Sequence, residues 1–262
     1  MGNMCFIAGV QKCGTSTMYA LLCQHPELGG AQRWETGHAG FPPKELHVFN
    51  TGAFKRGDGW YRSHFGSHRW WLDATPEYIT KYSFVKRMHR FDRSGRVILM
   101  LRDPVKRAVS AWRHWSRLPN EEKWVLPCPG GTWLDNIREE SRHVAHMQAA
   151  KEFTGFLSRG LYADQLEMLH ELYGKERVKV VFLEDVVRNP DEQVRNIQQW
   201  LGVHPFAAER RHVNEGTSPS VDKAGGEETN DDALPFLRDF FLSHNSRLEQ
   251  LLSTQLPEEW SR

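Results

Sequence analysis

The sequence contains few cysteines and no long hydrophobic run. None of its four cysteines forms a C-x-x-C pair, the spacing typical of zinc and redox sites (Cys5, Cys13, Cys23 and Cys128). A structural disulfide or a zinc site is therefore not expected. No segment approaches the ~18 apolar residues that a membrane-spanning helix needs, and the first predicted strand begins too close to Met1 for a signal peptide. We expect a cytoplasmic protein that has no membrane partner.

The net charge of the chain is also close to zero. The 34 Lys and Arg residues balance 33 Asp and Glu residues, which leaves a formal charge of +1. Nucleic-acid-binding domains carry a strongly basic balance, and a long polyanionic substrate favours a broad basic surface. We therefore expect no nucleic-acid partner, and an anionic ligand small enough to be held by a few basic residues.

Predicted strands alternate with predicted helices along the chain. Buried strands are expected at 4–10, 70–73, 96–101 and 177–183, helices at 15–25, 80–91, 104–115, 132–150, 160–173, 190–201 and 234–251, and long loops at 29–43, 116–131 and 204–231. This order predicts the α/β class, with a central parallel sheet flanked by helices. The length of 262 residues suits one domain over 1–262. Ligands of such folds bind at the carboxyl ends of the strands.

The most informative segment follows the first predicted strand. It joins the backbone amides of a helix N-terminus to a lysine and three hydroxyls, namely Lys12, Thr15, Ser16 and Thr17. Such a turn binds phosphate or sulfate groups. Nucleotide-hydrolysing P-loops read G-x-x-x-x-G-K-[ST]. Gly9 and Gly14 keep that glycine spacing, but Thr15 occupies the position of the lysine. The anion site is therefore predicted, while the kinase or ATPase signature is broken.

Cys13 lies inside the same turn. The positive end of the following helix favours a lowered thiol pKa at this position. The simpler interpretation, which we prefer, is a small residue accepted in an anion-binding loop.

A second anion site is predicted after the strand at 96–101. Arg102 ends that strand, and Asp103 and Pro104 supply an N-cap and a first-turn proline for the next helix. Ser110 lies two helical turns further on, so that both side chains can face one anion. The planar guanidinium suits a phosphate monoester, although a pair with a surface carboxylate is the alternative. Two anion sites fit a cofactor that is phosphorylated at two positions.

The third segment is Lys-Glu-Leu-His-Val-Phe at 44–49, interpreted as a short strand or extended turn. Alternation places Glu45 and His47 on one side and Leu46 and Val48 on the other. A carboxylate and an imidazole near an anion site can serve as a base and its partner. By itself the pattern is a weak signal, because Lys–Glu pairs usually lie on the solvated surface, and it gains weight only from the other two motifs.

Together these motifs resemble the PAPS-dependent sulfotransferases, particularly the branch of the heparan sulfate sulfotransferases and their bacterial relatives. The matching segments follow in order across the chain, at 9–15, 44–49, 72–78, 102–110, 160–162 and 182–190. The resemblance implies a P-loop-like sulfotransferase fold. It also implies the cofactor 3′-phosphoadenosine 5′-phosphosulfate (PAPS), with adenosine 3′,5′-bisphosphate (PAP) as product and no metal.

The resemblance also implies roles for individual residues. Lys12 would contact the 5′-phosphate and the bridging oxygen, Glu45 would be the general base, and His47 would assist or orient it. Arg102 and Ser110 would hold the 3′-phosphate. The remaining cofactor-binding residues belong to the 5′ loop, namely Cys13, Gly14, Thr15, Ser16 and Thr17.

Several features depart from the heparan sulfate branch. Ala74 stands where those relatives carry a substrate-contacting lysine, and the loop at 204–231 lacks their cysteine pair. We therefore expect a small-molecule or modest saccharide acceptor. Four tryptophans line either an acceptor pocket or the core, namely Trp112, Trp115, Trp124 and Trp133. Three residues are candidates for a loop that closes over the cofactor, namely Asn214, Thr217 and Lys223. The sequence does not indicate an oligomeric state.

Two other functions compete with sulfuryl transfer: a P-loop-type nucleotide kinase and a non-catalytic nucleotide-binding module. Thr15 and the apparent lack of a Walker-B strand that ends in Asp disfavour the kinase, and an intact Glu45 disfavours the binding module.

Ligand preference distinguishes these functions. Because Thr15 replaces the P-loop lysine, we expect calorimetry to show tighter binding of PAP than of ATP. Tighter binding of ATP would exclude the sulfotransferase interpretation. Incubation with labelled PAPS or ATP and a panel of acceptors then separates a transferase from a binding module.

Overall fold

A five-stranded parallel sheet forms the centre of the fold. The computed structural model describes residues 2–32, 44–116, 132–209 and 233–261. The strands are β1 (Asn3–Ile7), β2 (Leu28–Gly29), β3 (Trp70–Asp73), β4 (Arg96–Leu101) and β5 (Val178–Phe182). Their order across the sheet is β2-β3-β1-β4-β5. The first strand is therefore the middle one, and its neighbours are β3 and β4.

Helices connect the strands and flank the sheet. They are α1 (Thr15–Leu22), α2 (Asp58–Arg62), α3 (Tyr82–Phe91), α4 (Pro104–Ser116), α5 (Trp133–Ala150), α6 (Tyr162–Tyr173), α7 (Leu183–Arg188), α8 (Pro190–Leu201) and α9 (Ala233–Leu252). Short 3-10 helices lie at Gly52–Arg56, Pro76–Thr80, Ser158–Gly160, Lys175–Arg177 and Glu258–Ser261. The described residues form one α/β domain, as predicted. Its extent over 1–262 stays a prediction.

The central strands are buried on both faces. Every residue of β4 from Val97 to Leu101 is buried, as is β1 from Met4 to Ile7. Strands covered by helices on both faces have continuous apolar sequences instead of alternating ones. This is why the apolar run at 96–101 predicted a buried strand with the correct bounds.

Two helices begin with side-chain caps, and the sequence predicted the one at Asp103. The Asp103 carboxylate accepts a hydrogen bond from Val105 N at 2.9 Å, at the start of α4. Thr132 and Asp135 form a reciprocal capping box at the start of α5. Each cap satisfies a first-turn amide that has no carbonyl partner within the helix.

Other boundaries differ from the prediction. Regular β1 ends at Ile7 rather than at residue 10, and Phe182 rather than residue 183 ends β5. The elements β2, α2 and α7 were not predicted, because a two-residue strand and helices of five or six residues are too short to show a hydrophobic period. Much of the predicted loops, 33–43, 117–131 and 210–232, lies outside the described residues.

Gly9 lets the chain leave β1 in close contact with β4. Ala8 N and Val10 N donate to the carbonyls of Ile98 and Met100, at 3.1 and 3.2 Å. A Cβ on Gly9 would lie 2.3 Å from Met100 Cβ and 2.4 Å from Met100 N. Neither atom can move without disturbing the β1–β4 pairing, so this position requires glycine.

We predict that Gly9→Ala lowers the free energy of unfolding by about 1–3 kcal/mol, the usual cost of overpacking, measured by urea denaturation. Gly52→Ala is the control, because a Cβ there meets nothing within 4 Å. Equal stability of the two variants would contradict the close approach.

Candidate active site

The loop after β1 leaves the carboxyl edge of the sheet with the backbone geometry of an anion-binding turn. Lys12 and Gly14 both adopt left-handed backbone conformations, with φ of 72° and 83°, and Gly14 is the N-cap of α1. The first amides of α1 have no carbonyl partner within the helix and are available to an anion. Thr15 and Thr17 are buried, whereas Ser16 is exposed. The described geometry therefore has the form that the sequence predicted.

Cys13 supports the loop from the core side. Its thiol is buried, its Sγ lies 3.9 Å from Tyr162 Oη, and its amide donates to Val10 O at 3.1 Å. Burial raises the pKa of the Cys13 thiol to about 12, against the lowering effect of Arg107 and Arg102. The suggestion of a lowered thiol pKa is therefore wrong, because the loss of hydration exceeds the effect of nearby positive charge.

Arg102 lies directly beside the 5′ loop. Because β1 and β4 are neighbours, the two loops leave the same edge of the sheet, and Arg102 Nη1 donates to Lys12 O at 3.4 Å. The Tyr162 hydroxyl donates to Arg102 O at 2.8 Å and also contacts Cys13. Ser110 is half-buried on the second turn of α4. The structure thus brings the two predicted anion-binding segments together.

Glu45 and His47 form a half-exposed pair. Glu45 Oε2 lies 3.4 Å from His47 Nε2, and Lys44 Nζ makes an ion pair with Glu45 Oε1. Burial pushes the pKa of Glu45 upward, but the His47 hydrogen bond and the Lys44 charge outweigh it and hold that pKa below 4.5. The hydrogen bond to Glu45 raises the pKa of His47 above 6.5, against the effect of burial. The pair therefore favours a carboxylate beside an imidazolium.

The segment that carries this pair is not a regular strand. Leu46 and Val48 are buried while Glu45 and His47 are half-exposed, so the predicted alternation holds. His47 has a left-handed φ of 51°, which interrupts the strand conformation. The amides of Leu46, His47 and Val48 donate to side-chain hydroxyls of the segment after β3.

Asp73 was given no role by the sequence interpretation. It ends β3 beside β1, at the end of the strand that the sequence predicted at 70–73. Its carboxylate is 0% exposed and accepts hydrogen bonds only from protein donors among the described residues. A carboxylate in these surroundings is unsuited to a nucleotide-bound Mg²⁺. The signal was present in the sequence: a charged residue at the end of a fully apolar strand.

The tryptophans divide between core and loop. Trp112 stacks on buried Trp133 with ring centroids 5.7 Å apart, which makes this pair part of the core. Trp115 Nε1 donates to Gln11 Oε1 at 3.2 Å and so contacts the 5′ loop. Several candidate residues lie outside the described part of the chain, namely Trp124, Cys128, Asn214, Thr217 and Lys223.

Within the described ranges, His, Cys, Asp and Glu side chains form no group of three that could hold a metal ion. None of the helices there combines the length and apolar character of a membrane-spanning segment.

Comparison with curated proteins gives distant relatives. A bifunctional heparan sulfate N-deacetylase/N-sulfotransferase of Drosophila melanogaster is 21% identical over 284 residues, 94% of this chain and 25% of that protein. Heparan sulfate glucosamine 3-O-sulfotransferase 6 of Homo sapiens is 24% identical over 226 residues, 84% of this chain and 58% of that protein. The chain spans less than two thirds of either relative.

Comparison with solved structures gives the same family. A sulfotransferase from Alicyclobacillus acidocaldarius has a TM-score of 0.69 and 26% identity, over 100% of this chain and 99% of its own. A mouse sulfotransferase complexed with PAP has a TM-score of 0.50 and 15% identity, over 96% and 83%, which shows a shared fold alone. The sulfotransferase domain family itself matches residues 3–217. The resemblance is thereby confirmed: the chain belongs to the sulfotransferase domain family.

Proposed function

We propose that this protein transfers the sulfuryl group of PAPS to a hydroxyl or amine of a small-molecule or saccharide acceptor. The observation that carries the proposal is the convergence of the Lys12 loop with Arg102 at one edge of the sheet. A PAPS molecule has anionic groups at the 5′ and 3′ positions of its ribose, and each of these two segments suits one of them. A mouse sulfotransferase of the same fold was solved in complex with PAP, which supports the same cofactor.

The loop after β1 binds the 5′ end of the cofactor. The helix N-terminus and the residues from Lys12 to Thr17 stabilise the charge that develops as the bridging oxygen leaves sulfur. Lys12 is the fixed positive charge at that bond. Arg102 and Ser110 hold the 3′-phosphate, and the Arg102 guanidinium gives it two parallel hydrogen bonds. In-line displacement depends mainly on such positioning.

Glu45 is the base of the reaction. Its lowered pKa keeps it a carboxylate at neutral pH, and the acceptor proton becomes acidic as the bond to sulfur forms. His47 orients this carboxylate through the contact of Nε2 with Oε2. The side chain of Asn50 lies 3.1 Å from His47 Nδ1, so both ring nitrogens have a partner.

The acceptor class follows from the relatives and from one substitution. Two of the curated relatives are named as heparan sulfate sulfotransferases, and heparan sulfate is a polyanionic saccharide. Ala74 is buried in this chain and offers no charge to such a substrate. A small molecule or a modest saccharide is the acceptor that fits better. The cytoplasmic location stays a prediction.

We predict that Glu45→Gln keeps PAP affinity but lowers sulfuryl transfer about 10²–10⁴-fold, the usual contribution of a general base. Transfer of labelled sulfate from PAPS to an acceptor panel measures turnover, and calorimetry measures PAP binding. On the acid side of the pH profile, the wild-type rate should fall through protonation of Glu45 only below pH 4.5, because the lowered pKa of Glu45 keeps it a carboxylate as the pH falls. Full activity of the variant would remove Glu45 from this role.

The matched control is Arg102→Ala, which should have the opposite effect. It removes a phosphate ligand and leaves the base, so PAP affinity should fall more than the rate at saturating PAPS. Unchanged PAP affinity would remove Arg102 from the 3′-phosphate site.

A further inference from the structure

A buried carboxylate lies behind the segment that carries Glu45 and His47. Asp73 Oδ1 accepts hydrogen bonds from Thr75 Oγ1 at 2.6 Å and from Thr75 N at 3.1 Å. Asp73 Oδ2 accepts from Tyr61 Oη at 2.6 Å and from Tyr78 Oη at 2.8 Å. Both carboxylate oxygens are therefore held by donors, and hydrogen bonds to an ionised acceptor are the stronger kind.

Two of these hydroxyls also contact residues 44–49, the segment that carries Glu45 and His47 and is called the catalytic segment below. Thr75 Oγ1 accepts from Leu46 N at 2.9 Å and from His47 N at 3.2 Å. Tyr78 Oη accepts from Val48 N at 2.9 Å. The three successive amides of residues 46–48 thus end on two side chains that Asp73 holds.

The directions of these hydrogen bonds are determined by chemistry. A backbone amide can only donate, and each hydroxyl carries a single proton. The Thr75 and Tyr78 hydroxyls accept from the amides, so their own protons must point to Asp73. A carboxylate, which can only accept, completes this arrangement, whereas an amide or a hydrocarbon in its place would not.

The catalytic segment needs such support. It belongs to no strand, and His47 adopts a left-handed φ of 51°. A non-glycine residue keeps a conformation of this kind only where its surroundings determine it. The amide of His47 is fixed by Thr75, and the carbonyl of His47 accepts from Thr51 Oγ1 at 2.6 Å.

We propose that Asp73 is a positioning residue for the Glu45–His47 pair, acting through the Thr75 and Tyr78 hydroxyls on the backbone of residues 46–48. This proposal rests on the proposed function of Glu45. It adds the residues that orient the Glu45 carboxylate. Asp73 itself touches no reacting atom.

Tyr61 and Tyr78 offer a matched pair of variants. Both are buried, and both hydroxyls donate to Asp73 Oδ2. Of the two, Tyr78 alone accepts from an amide of the segment in the described structure. If these hydroxyls and Asp73 only stabilised the core, neither Tyr61→Phe nor Tyr78→Phe would change the titration of His47. A positioning role predicts that Tyr78→Phe affects the Glu45–His47 pair more than Tyr61→Phe does.

The experiment measures the pKa of His47 by NMR titration of the full chain, with its signal assigned by His47→Gln. Contact with Glu45 raises this pKa above 6.5, and the charges of Glu77 and Asp73 add to that effect. All three carboxylates remain in the tyrosine and threonine variants. We expect Tyr78→Phe and Thr75→Val to move the pKa toward 6.5, while Thr75→Ser restores the wild-type value.

Turnover and PAP affinity provide the second readout. Misplacement of a reacting group by about 1 Å costs roughly 10²-fold in rate, so Thr75→Val should lose turnover at unchanged PAP affinity. Asp92→Asn is the stability control, because this second buried carboxylate accepts from Met4 N at 2.9 Å and holds no part of the segment. It should leave both the His47 titration and the turnover unchanged.

Each outcome bears on the proposal. Identical His47 titrations for Tyr61→Phe, Tyr78→Phe and wild type would overturn it, as would failure of Thr75→Ser to differ from Thr75→Val. If Thr75→Val does not fold, the tyrosine pair still decides. Absence of sulfuryl transfer by the wild type would instead contradict the proposed function, and the His47 titration would still test the positioning role.

Discussion

The parallel pairing of β1 with β3 on one side and β4 on the other determines where the chemistry lies. Parallel strands release their following loops at the same edge. The loop after β1 supplies Lys12, and the end of β4 supplies Arg102, 3.4 Å from the Lys12 carbonyl. The end of β3 supplies Asp73, whose hydroxyl partners hold the segment of Glu45. Three separate parts of the chain are therefore joined by one arrangement of strands.

Charge is distributed unequally within this edge. A helix N-terminus, Lys12 and Arg102 contribute positive charge there, which suits the proposed cofactor with its two anionic groups, while Lys44 and His47 keep Glu45 a carboxylate. A net charge of +1 for the whole chain is compatible with this arrangement, because a few local cations suffice for a small ligand. The proposed function would also explain why the P-loop motif is broken at Thr15, because the bond to be broken in PAPS lies between phosphate and sulfate, where Lys12 is proposed to act.

The features that depend on a local sequence pattern could be predicted from the sequence. The apolar run of β4, the cap at Asp103 and the glycine-bounded loop could all be predicted, because each depends on neighbouring residues. The role of Asp73 could not, because its hydroxyl partners reach amides 29 and 30 residues away in sequence. Short elements such as β2 lack a readable period. The position of His47 depends on its left-handed backbone, which no propensity indicates.

The most direct test of the central claim is a crystal structure of this protein with PAP. Our account predicts the 5′-phosphate against the first amides of α1 and Lys12, the 3′-phosphate against Arg102 and Ser110, and Glu45 facing the open side of the 5′-phosphate. PAP bound in the reverse orientation, or at another part of the molecule, would contradict it.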